Sequence, residues 1–158
     1  MKSLEPVILV GRRIVLHSTE NFRVPEITFM VDFIKENIID SREGYIFKIL
    51  VRDSEILLGY CGFIQVNDLN AVCFYFLFSE YRGNGYAIEA VKLMVEFVFN
   101  TLKLDEIRAY IEKDNNRGWK VAERAGMMYM GEYSHKKYKT RLMLFKISNT
   151  DFERQIYY

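Results

Sequence analysis

The stretch Ser79-Glu80-Tyr81-Arg82-Gly83-Asn84-Gly85-Tyr86-Ala87 joins two segments of opposite character. Residues 71–78 before it are almost wholly apolar, which predicts a strand buried on both faces. The segment after it predicts a long helix, because its apolar residues recur at helical spacing: Ile88, Val91, Met94, Val95, Val98 and Leu102. The glycine-rich stretch is therefore the turn through which a buried strand enters a helix.

Such a turn is suited to binding an anion. Its two glycines let the backbone turn tightly and approach a ligand closely. The first amides of a helix have no partner within the helix, and the helix dipole adds partial positive charge there. Arg82 adds a full charge and a fork of donors for phosphate oxygens. A plain glycine turn would explain two glycines alone. The strand, the helix and the arginine together favour an anion site, and a pyrophosphate fits it.

Two familiar nucleotide loops fit the stretch badly. The dinucleotide fingerprint needs a third glycine at position 88, where this chain has Ile88. The P-loop needs Gly-Lys-Ser/Thr before the helix, and that sequence is absent. This elimination decides the identity of the pyrophosphate ligand only in part.

The rest of the chain predicts a single mixed α/β domain over residues 1–158, with some parallel strand pairing across the late helices. Its predicted order is strand, helix, three strands, helix, strand, helix and two strands. One helix begins near Pro25, and residues 115–125 form another that ends at Gly126. A basic run, residues 135–139, joins the closing strands as a hairpin or loop. The predicted strands are residues 12–17, 45–52, 56–66, 71–78, 106–112, 129–134 and 141–147.

Composition excludes several classes of function. A net charge of +1 argues against a dedicated nucleic-acid binder, which needs a large basic excess. Two cysteines without a close CxxC and only two histidines argue against disulfides and metal sites. No apolar run approaches the ~18 residues of a membrane helix, and residues 1–5 show no signal-peptide core. We therefore expect a cytoplasmic protein with free thiols and no membrane partner.

Two motifs carry a family resemblance. The glycine-rich stretch resembles the acyl-CoA pyrophosphate loop of the GNAT N-acetyltransferases, Arg/Gln-x-x-Gly-x-Gly/Ala, with Arg82, Gly85 and Ala87 in the motif positions. In that family an Asn is followed eleven positions later by a Gly that ends the next helix, and Asn115 and Gly126 hold this spacing. The wording of residues 80–90 looks most like the branch that acetylates ribosomal-protein N-termini. The resemblance is closest over residues 59–132.

The resemblance implies a GNAT fold: a central mixed, mostly antiparallel sheet with flanking helices and a parallel, splayed strand pair at the acetyl-CoA site. It implies direct transfer of acetyl from acetyl-CoA to an amine in a ternary complex, with the backbone N–H of Leu77 as a possible oxyanion donor. The residues implied to bind the cofactor are Phe76, Leu77, Phe78, Arg82, Gly83, Asn84, Gly85, Tyr86, Ala87, Asn115, Gly118 and Lys120.

Three positions depart from the family pattern. Val72 stands where many relatives carry a basic Glu, three residues before Tyr75. Ala122 replaces a Tyr that protonates the leaving thiolate, and Gly118 replaces a Ser. The catalytic base and acid therefore stay unassigned. The alternative function is a GNAT-fold module that binds acyl-CoA with little or no turnover, and a weaker one is an RNA- or ribosome-associated protein.

Other acids, bases and nucleophiles have weak support in the sequence, because each has an ordinary structural explanation. They are His17, Cys73, Tyr129, Tyr133, His135 and Tyr138. The resemblance implies an amine acceptor, either a protein N-terminus or a small molecule. Residues 19–40 predict one clear helix where two are common, which predicts an open acceptor site. The chain is expected to be a monomer or a homodimer.

Overall fold

The computed structural model describes residues 6–20, 44–134 and 141–157. Within these ranges one sheet contains eight strands, formed by segments rich in β-branched and aromatic residues. The strands are β1 (Ile8–Val10), β2 (Ile14–Ser18), β3 (Gly44–Val51), β4 (Leu57–Gln65), β5 (Asn70–Leu77), β6 (Glu106–Glu112), β7 (Met128–Ser134) and β8 (Arg141–Ser148).

The spatial order of the sheet is β1-β2-β3-β4-β5-β6-β8-β7. Every neighbouring pair is antiparallel except β5 and β6, which are parallel. Pairing between β5 and β6 covers only Asn70 to Val72 against Glu106 to Arg108. Since both strands continue well beyond this register, they diverge toward their carboxyl ends. The expected mixed, mostly antiparallel sheet with a splayed parallel pair is confirmed.

Three α-helices accompany the sheet in the described ranges: α1 (Tyr86–Glu96), α2 (Asn116–Arg124) and α3 (Asn149–Tyr157). Helix α1 continues into a π-helical turn, Phe97–Thr101, in which the N–H of Leu102 donates to the carbonyl of Phe97 at 3.1 Å. No helix in the described part is both long and apolar enough to span a bilayer.

Strand β5 is buried on both faces, as its composition predicts. Alternate residues enter two separate apolar clusters, because successive side chains of a strand point to opposite faces. Ala71, Cys73 and Leu77 join the main core beneath α1 and α2. Val72 and Phe74 join a second cluster. The carboxyl end of this central strand therefore starts from a strand packed on both faces, next to the glycine-rich stretch.

The structure corrects the predicted order at both ends. An additional strand, β1, precedes the predicted first strand; it has only three residues, and its Ile8 and Val10 are exposed. Helix α3 follows β8 and was not predicted, and its first turn is polar. That turn is closed locally, since the Asp151 N–H donates to the Ser148 hydroxyl at 3.1 Å. The helix predicted near Pro25 and the basic run at residues 135–139 lie outside the described residues.

Candidate cofactor site

A cavity of about 340 Å³ lies beside the end of β5, beyond the point where its pairing with β6 stops. Three elements enclose it: the last residues of β5, the glycine-rich stretch that leads into α1, and the exposed side of α2. Its lining residues are Tyr75, Phe76, Leu77, Arg82, Gly83, Gly85, Ala87, Ile88, Asn115, Arg117, Gly118, Lys120, Val121 and Arg124.

The end of β5 presents a backbone donor to this side of the sheet. The N–H of Phe78 donates to the Leu58 carbonyl on the β4 side at 2.9 Å. Because N–H groups alternate along a strand, the N–H of Leu77 points the opposite way, toward the diverging β6. The pairing of β5 with β6 ends at Val72, so in these two strands the Leu77 N–H has no ladder partner. The carbonyl of Leu77 accepts a bond from Arg82 Nε at 3.1 Å, which folds the arginine back along the strand.

The glycine-rich stretch needs its glycines for backbone conformation. Gly83 and Gly85 have φ angles of +86° and +78°, where an L side chain is strained. Gly85 occupies the N-cap position of α1 and offers no side chain to the first amides of that helix. These amides, the helix dipole and Arg82 therefore form an anion-binding arrangement at the cavity wall.

The outer side of the stretch is held by a residue that sequence analysis did not single out. The Arg13 guanidinium donates to the Asn84 carbonyl at 2.8 Å and lies 4.7 Å from the centre of the Tyr86 ring. The same guanidinium forms an ion pair with Glu89 at 2.9 Å. Asn84 and Tyr86 thus support the turn from outside and do not line the cavity.

The start of α2 is fixed by two bonds that meet at Gly118. Asn115 caps the helix, with its Oδ1 accepting from the Gly118 N–H at 2.9 Å. The Tyr75 hydroxyl donates to the Gly118 carbonyl, so β5 and α2 are joined directly beneath the cavity. Burial raises the pKa of Tyr75 well above its usual value, which keeps this donor protonated.

Gly118, one of the departures from the family pattern, has a steric explanation here. A Cβ at this position would lie 2.5 Å from Asn115 Nδ2 and 2.9 Å from Asn115 Cγ. A serine would therefore displace the capping amide. The other two departures are sealed in the interior, since Val72 is 2% exposed and Ala122 is fully buried. Among the described lining residues, neither a carboxylate nor an imidazole is present.

The weaker candidates for catalysis lie elsewhere or are chemically unsuited. His17 lines a separate cavity of about 230 Å³ near Pro6 and Tyr45. Cys73 and Cys61 are unbridged and buried, and burial raises the pKa of the Cys73 thiol to about 12, which disfavours a thiolate nucleophile.

Two further tyrosines sit on β7, where Tyr129 packs on Phe145 and Tyr133 on Tyr110, away from the cavity. His135 and Tyr138 lie outside the described residues. In residues 6–20, 44–134 and 141–157, no group of three metal-ligating side chains is present.

Nine of the twelve residues predicted to bind the cofactor line the cavity; they are Phe76, Leu77, Arg82, Gly83, Gly85, Ala87, Asn115, Gly118 and Lys120. The other three are Asn84 and Tyr86, described above, and Phe78, which packs edge-on against Tyr60 and Phe76. Sequence reasoning missed the lining residues Ile88, Arg117, Val121 and Arg124. The two arginines could have been predicted, because Arg117 and Arg124 are spaced three and four residues from Lys120 and so share its face of the helix.

Comparison with known proteins finds a matching family model and several similar sequences. The family model of the acetyltransferase (GNAT) domain matches residues 18–128. An uncharacterized N-acetyltransferase, p20 of Bacillus licheniformis, is 32% identical over 77 residues, covering 48% of this chain and 43% of that protein. The chain thus spans about half the length of the curated relatives it matches.

Solved structures agree in fold. A GNAT-family acetyltransferase from Bacillus anthracis superposes with a TM-score of 0.71 at 17% identity, covering 91% of this chain and 99% of that one. The ribosomal-protein-S5-alanine acetyltransferase from Vibrio fischeri has a TM-score of 0.68 at 17% identity, with 92% and 98% covered.

Proposed function

Because the chain belongs to the GNAT acetyltransferase family, we propose that it transfers the acetyl group of acetyl-CoA to an amine. The observation that carries the proposal is the cavity itself. It combines the amides at the start of α1, the cation Arg82 and the diverging end of β5 within one enclosure. A pyrophosphate fits the first two features, and an extended pantetheine arm fits the third, where backbone groups lack a strand partner in the described chain.

In the proposed reaction the neutral amine attacks the thioester carbonyl directly. A C–N bond forms, the C–S bond breaks, CoA leaves as a thiolate, and the amine loses a proton. The proposal assigns stabilisation of the developing oxyanion to the Leu77 N–H, because this N–H points into the region where β5 and β6 separate. Asn115 and Gly118 also line the cavity, and the bond from the Tyr75 hydroxyl to the Gly118 carbonyl holds their turn against β5.

Proton transfer in this reaction has no assigned side chain. The positions of the familiar base and acid are occupied by Val72 and Ala122, both buried. The described cavity lining offers cations and a high-pKa phenol, which are poor bases. The proposal therefore assigns deprotonation of the amine to solvent, with the enzyme contributing orientation of the two reactants and oxyanion stabilisation.

The lack of a carboxylate or imidazole in the described cavity lining favours a second candidate function. A GNAT domain that binds acyl-CoA and responds to it, with little turnover, needs the cavity but neither a base nor an acid. The two candidates share cofactor binding and differ in product formation. The acceptor, whether a protein N-terminus or a small amine, belongs to the first candidate alone.

Calorimetric titration of the full chain with acetyl-CoA tests the shared step. Arg82→Ala and Gly85→Val are expected to weaken binding, since one removes a phosphate partner and the other strains a φ of +78°. Lys92→Gln is the matched control, because Lys92 is exposed on α1 and does not line the cavity. Unchanged affinity in both site variants would contradict the assignment of the cavity.

Thiol release over a panel of N-terminal peptides, polyamines and amino sugars separates the two candidates. Release above the hydrolytic background with any acceptor, lost in Arg82→Ala, supports the transferase. Tight binding with no release over the whole panel supports the regulatory module.

A further inference from the structure

Strand β7 concentrates exposed apolar side chains at one edge of the sheet. It is the last strand in the spatial order of the described sheet, where only β8 pairs with it. Met128 is 55% exposed, Tyr129 50%, Met130 48% and Tyr133 37%. We call these four residues the β7 patch. Four of the nine large hydrophobic side chains exposed in the described chain thus lie within seven residues, so the exposure is local to this strand.

The backbone of this edge is open to a further strand. An edge strand leaves a row of N–H and C=O groups unpaired, and proteins commonly block such edges with lysine, proline or a bulge. Residues 128–134 contain neither lysine nor proline. A bulge lies between Tyr129 and Gly131 and leaves Gly131–Ser134 as the regular part of the edge. A Cβ built on Gly131 would have no heavy atom of the described chain within 4 Å, so there is space for a second backbone.

The β7 patch contains no charged residue, and the single charge of its strand is compensated. Glu132 is the one charged residue of β7, and it pairs with Lys113 at 2.7 Å and with Arg141 at 3.9 Å. A strongly charged partner would therefore find no unpaired opposite charge on this strand. An apolar, uncharged edge fits it better, and a second copy of the chain presents such an edge.

The geometry of edge pairing favours β7 against β7. The opposite edge of the described sheet, β1, has three residues, and a contact between two different edges would continue from copy to copy as an open chain. Two β7 strands related by a two-fold axis run antiparallel, pair each other's backbone groups and close the assembly at two copies. With the axis near Gly131 and Glu132, Met130 of one copy comes close to Tyr133 of the other.

The area of the β7 patch suits such an interface. About half of each of four large side chains is exposed, roughly 100 Å² apiece, so two copies would bury roughly 800 Å² of apolar surface. Stable interfaces bury about 1,200–2,000 Å² in total, of which about 56–65% is apolar. The β7 patch therefore supplies the apolar area that an interface near the lower end of this range requires.

We propose that the β7 patch is the interface of a homodimer, in which the β7 strands of two copies pair antiparallel and join their sheets into one. The inference is independent of the proposed acetyl transfer, because none of the four residues lines the cofactor cavity. Both cavities of the dimer stay available to a ligand from their own copy.

Sedimentation velocity of the full chain from about 1 to 200 µM tests the proposal. The wild type is expected to dimerise with a Kd in the micromolar range, as interfaces of this area can. Met130→Lys/Tyr133→Lys should weaken dimerisation by about 100-fold or more, because like charges then meet across the two-fold axis. The matched control is Ile56→Lys/Ile156→Lys, which replaces two similarly exposed side chains outside β7 and should dimerise like the wild type.

Two further measurements identify the contact as β7 against itself. A mixture of the lysine variant with Met130→Glu/Tyr133→Glu should recover dimers, because opposite charges then meet across the axis. Amide hydrogen exchange of residues 131–134 in the wild type should slow as the concentration rises through the Kd, because the edge amides become paired.

Any of three results overturns the inference. The first is a wild type that stays monomeric up to the highest concentration. The second is a lysine variant that dimerises as the wild type does. The third is a mixture of the lysine and glutamate variants that stays monomeric, since the two β7 strands would then not face each other. A circular-dichroism spectrum of each variant establishes that it is folded.

Discussion

Arg13 and Glu89 are 76 positions apart and are joined by two hydrogen bonds. The Arg13 backbone N–H donates to Oε2 of Glu89 at 2.8 Å and its Nε donates to Oε1 at 2.9 Å. The Ile14 N–H adds a third bond to the same carboxylate at 3.2 Å. Since Arg13 also bonds the Asn84 carbonyl, the turn between β1 and β2 supports the glycine-rich stretch from outside the cavity.

Arg13→Gln is therefore expected to lower both stability and affinity for acetyl-CoA. The lost bonds are charge-assisted but partly solvated, so the cost in unfolding free energy should be about 1–2 kcal/mol. Urea unfolding and calorimetric titration measure the two effects. Arg12→Gln is the matched control, because the neighbouring Arg12 is exposed and outside this network. Equal behaviour of the two variants would contradict the supporting role of Arg13.

Glu89 should make stability depend on pH. Partial burial raises the pKa of its carboxyl, but hydrogen bonds from Arg13 and Ile14 outweigh burial and leave that pKa below its usual value near 4.5. A lowered folded pKa stabilises the fold above the unfolded value, and this contribution is lost as pH falls through the folded value. The difference in Tm between wild type and Glu89→Gln should thus be largest near neutral pH. It should shrink toward zero below about pH 4. A constant difference from pH 3 to 7 would contradict this origin.

Asn115→Ala is expected to destabilise the chain by about 1 kcal/mol, because it removes the side-chain cap of α2. It should also raise the KM for acetyl-CoA, since Asn115 lines the cavity. Asn116→Ala removes a neighbouring amide that accepts from Trp119 Nε1 at 3.2 Å on the exposed side. The comparison is made by urea unfolding and steady-state kinetics. A larger effect at Asn116 would show that the cap is not what positions this turn.

Tyr75→Phe should also cost about 1 kcal/mol, because a buried hydroxyl loses its bond to the Gly118 carbonyl. The expected kinetic signature is a weaker affinity for acetyl-CoA, as the start of α2 is released from β5. Tyr60→Phe serves as control, since Tyr60 is also buried, at 8% exposed, but packs in the second apolar cluster. A loss of turnover in Tyr75→Phe at unchanged affinity would instead indicate that the phenol takes part in proton transfer.

The pH dependence of turnover should follow the acceptor. With no carboxylate or imidazole in the described lining, kcat/KM is expected to rise about tenfold per pH unit until the amine itself is deprotonated. That plateau lies near pH 8 for an N-terminal amine and above pH 10 for a lysine-like amine. Steady-state rates with one acceptor of each kind measure it. A common inflection near pH 6–7 with both acceptors would reveal a base on the protein.

Local periodicity was sufficient to predict most elements. Strand β6 was predicted at its observed bounds, and α2 within one residue at each end, because alternation, an Asn cap and a terminal Gly act within a few residues. The glycine-rich stretch was predicted as an anion site for the same reason. Helix α3 was missed because its burial depends on a distant contact, the packing of Phe152 on Phe99.

The sequence by itself determined the order of most elements, the family and the phosphate-binding turn, since these depend on backbone conformation and on residues close along the chain. Only the tertiary structure decided which groups share the cavity. It turned Asn84 and Tyr86 outward onto Arg13, brought Tyr75 to Gly118 across 43 positions, and placed basic residues of α2 in the same cavity as the turn. The physical reason is that hydrogen bonds and burial between distant segments depend on how strands pair and helices pack, which no local pattern encodes.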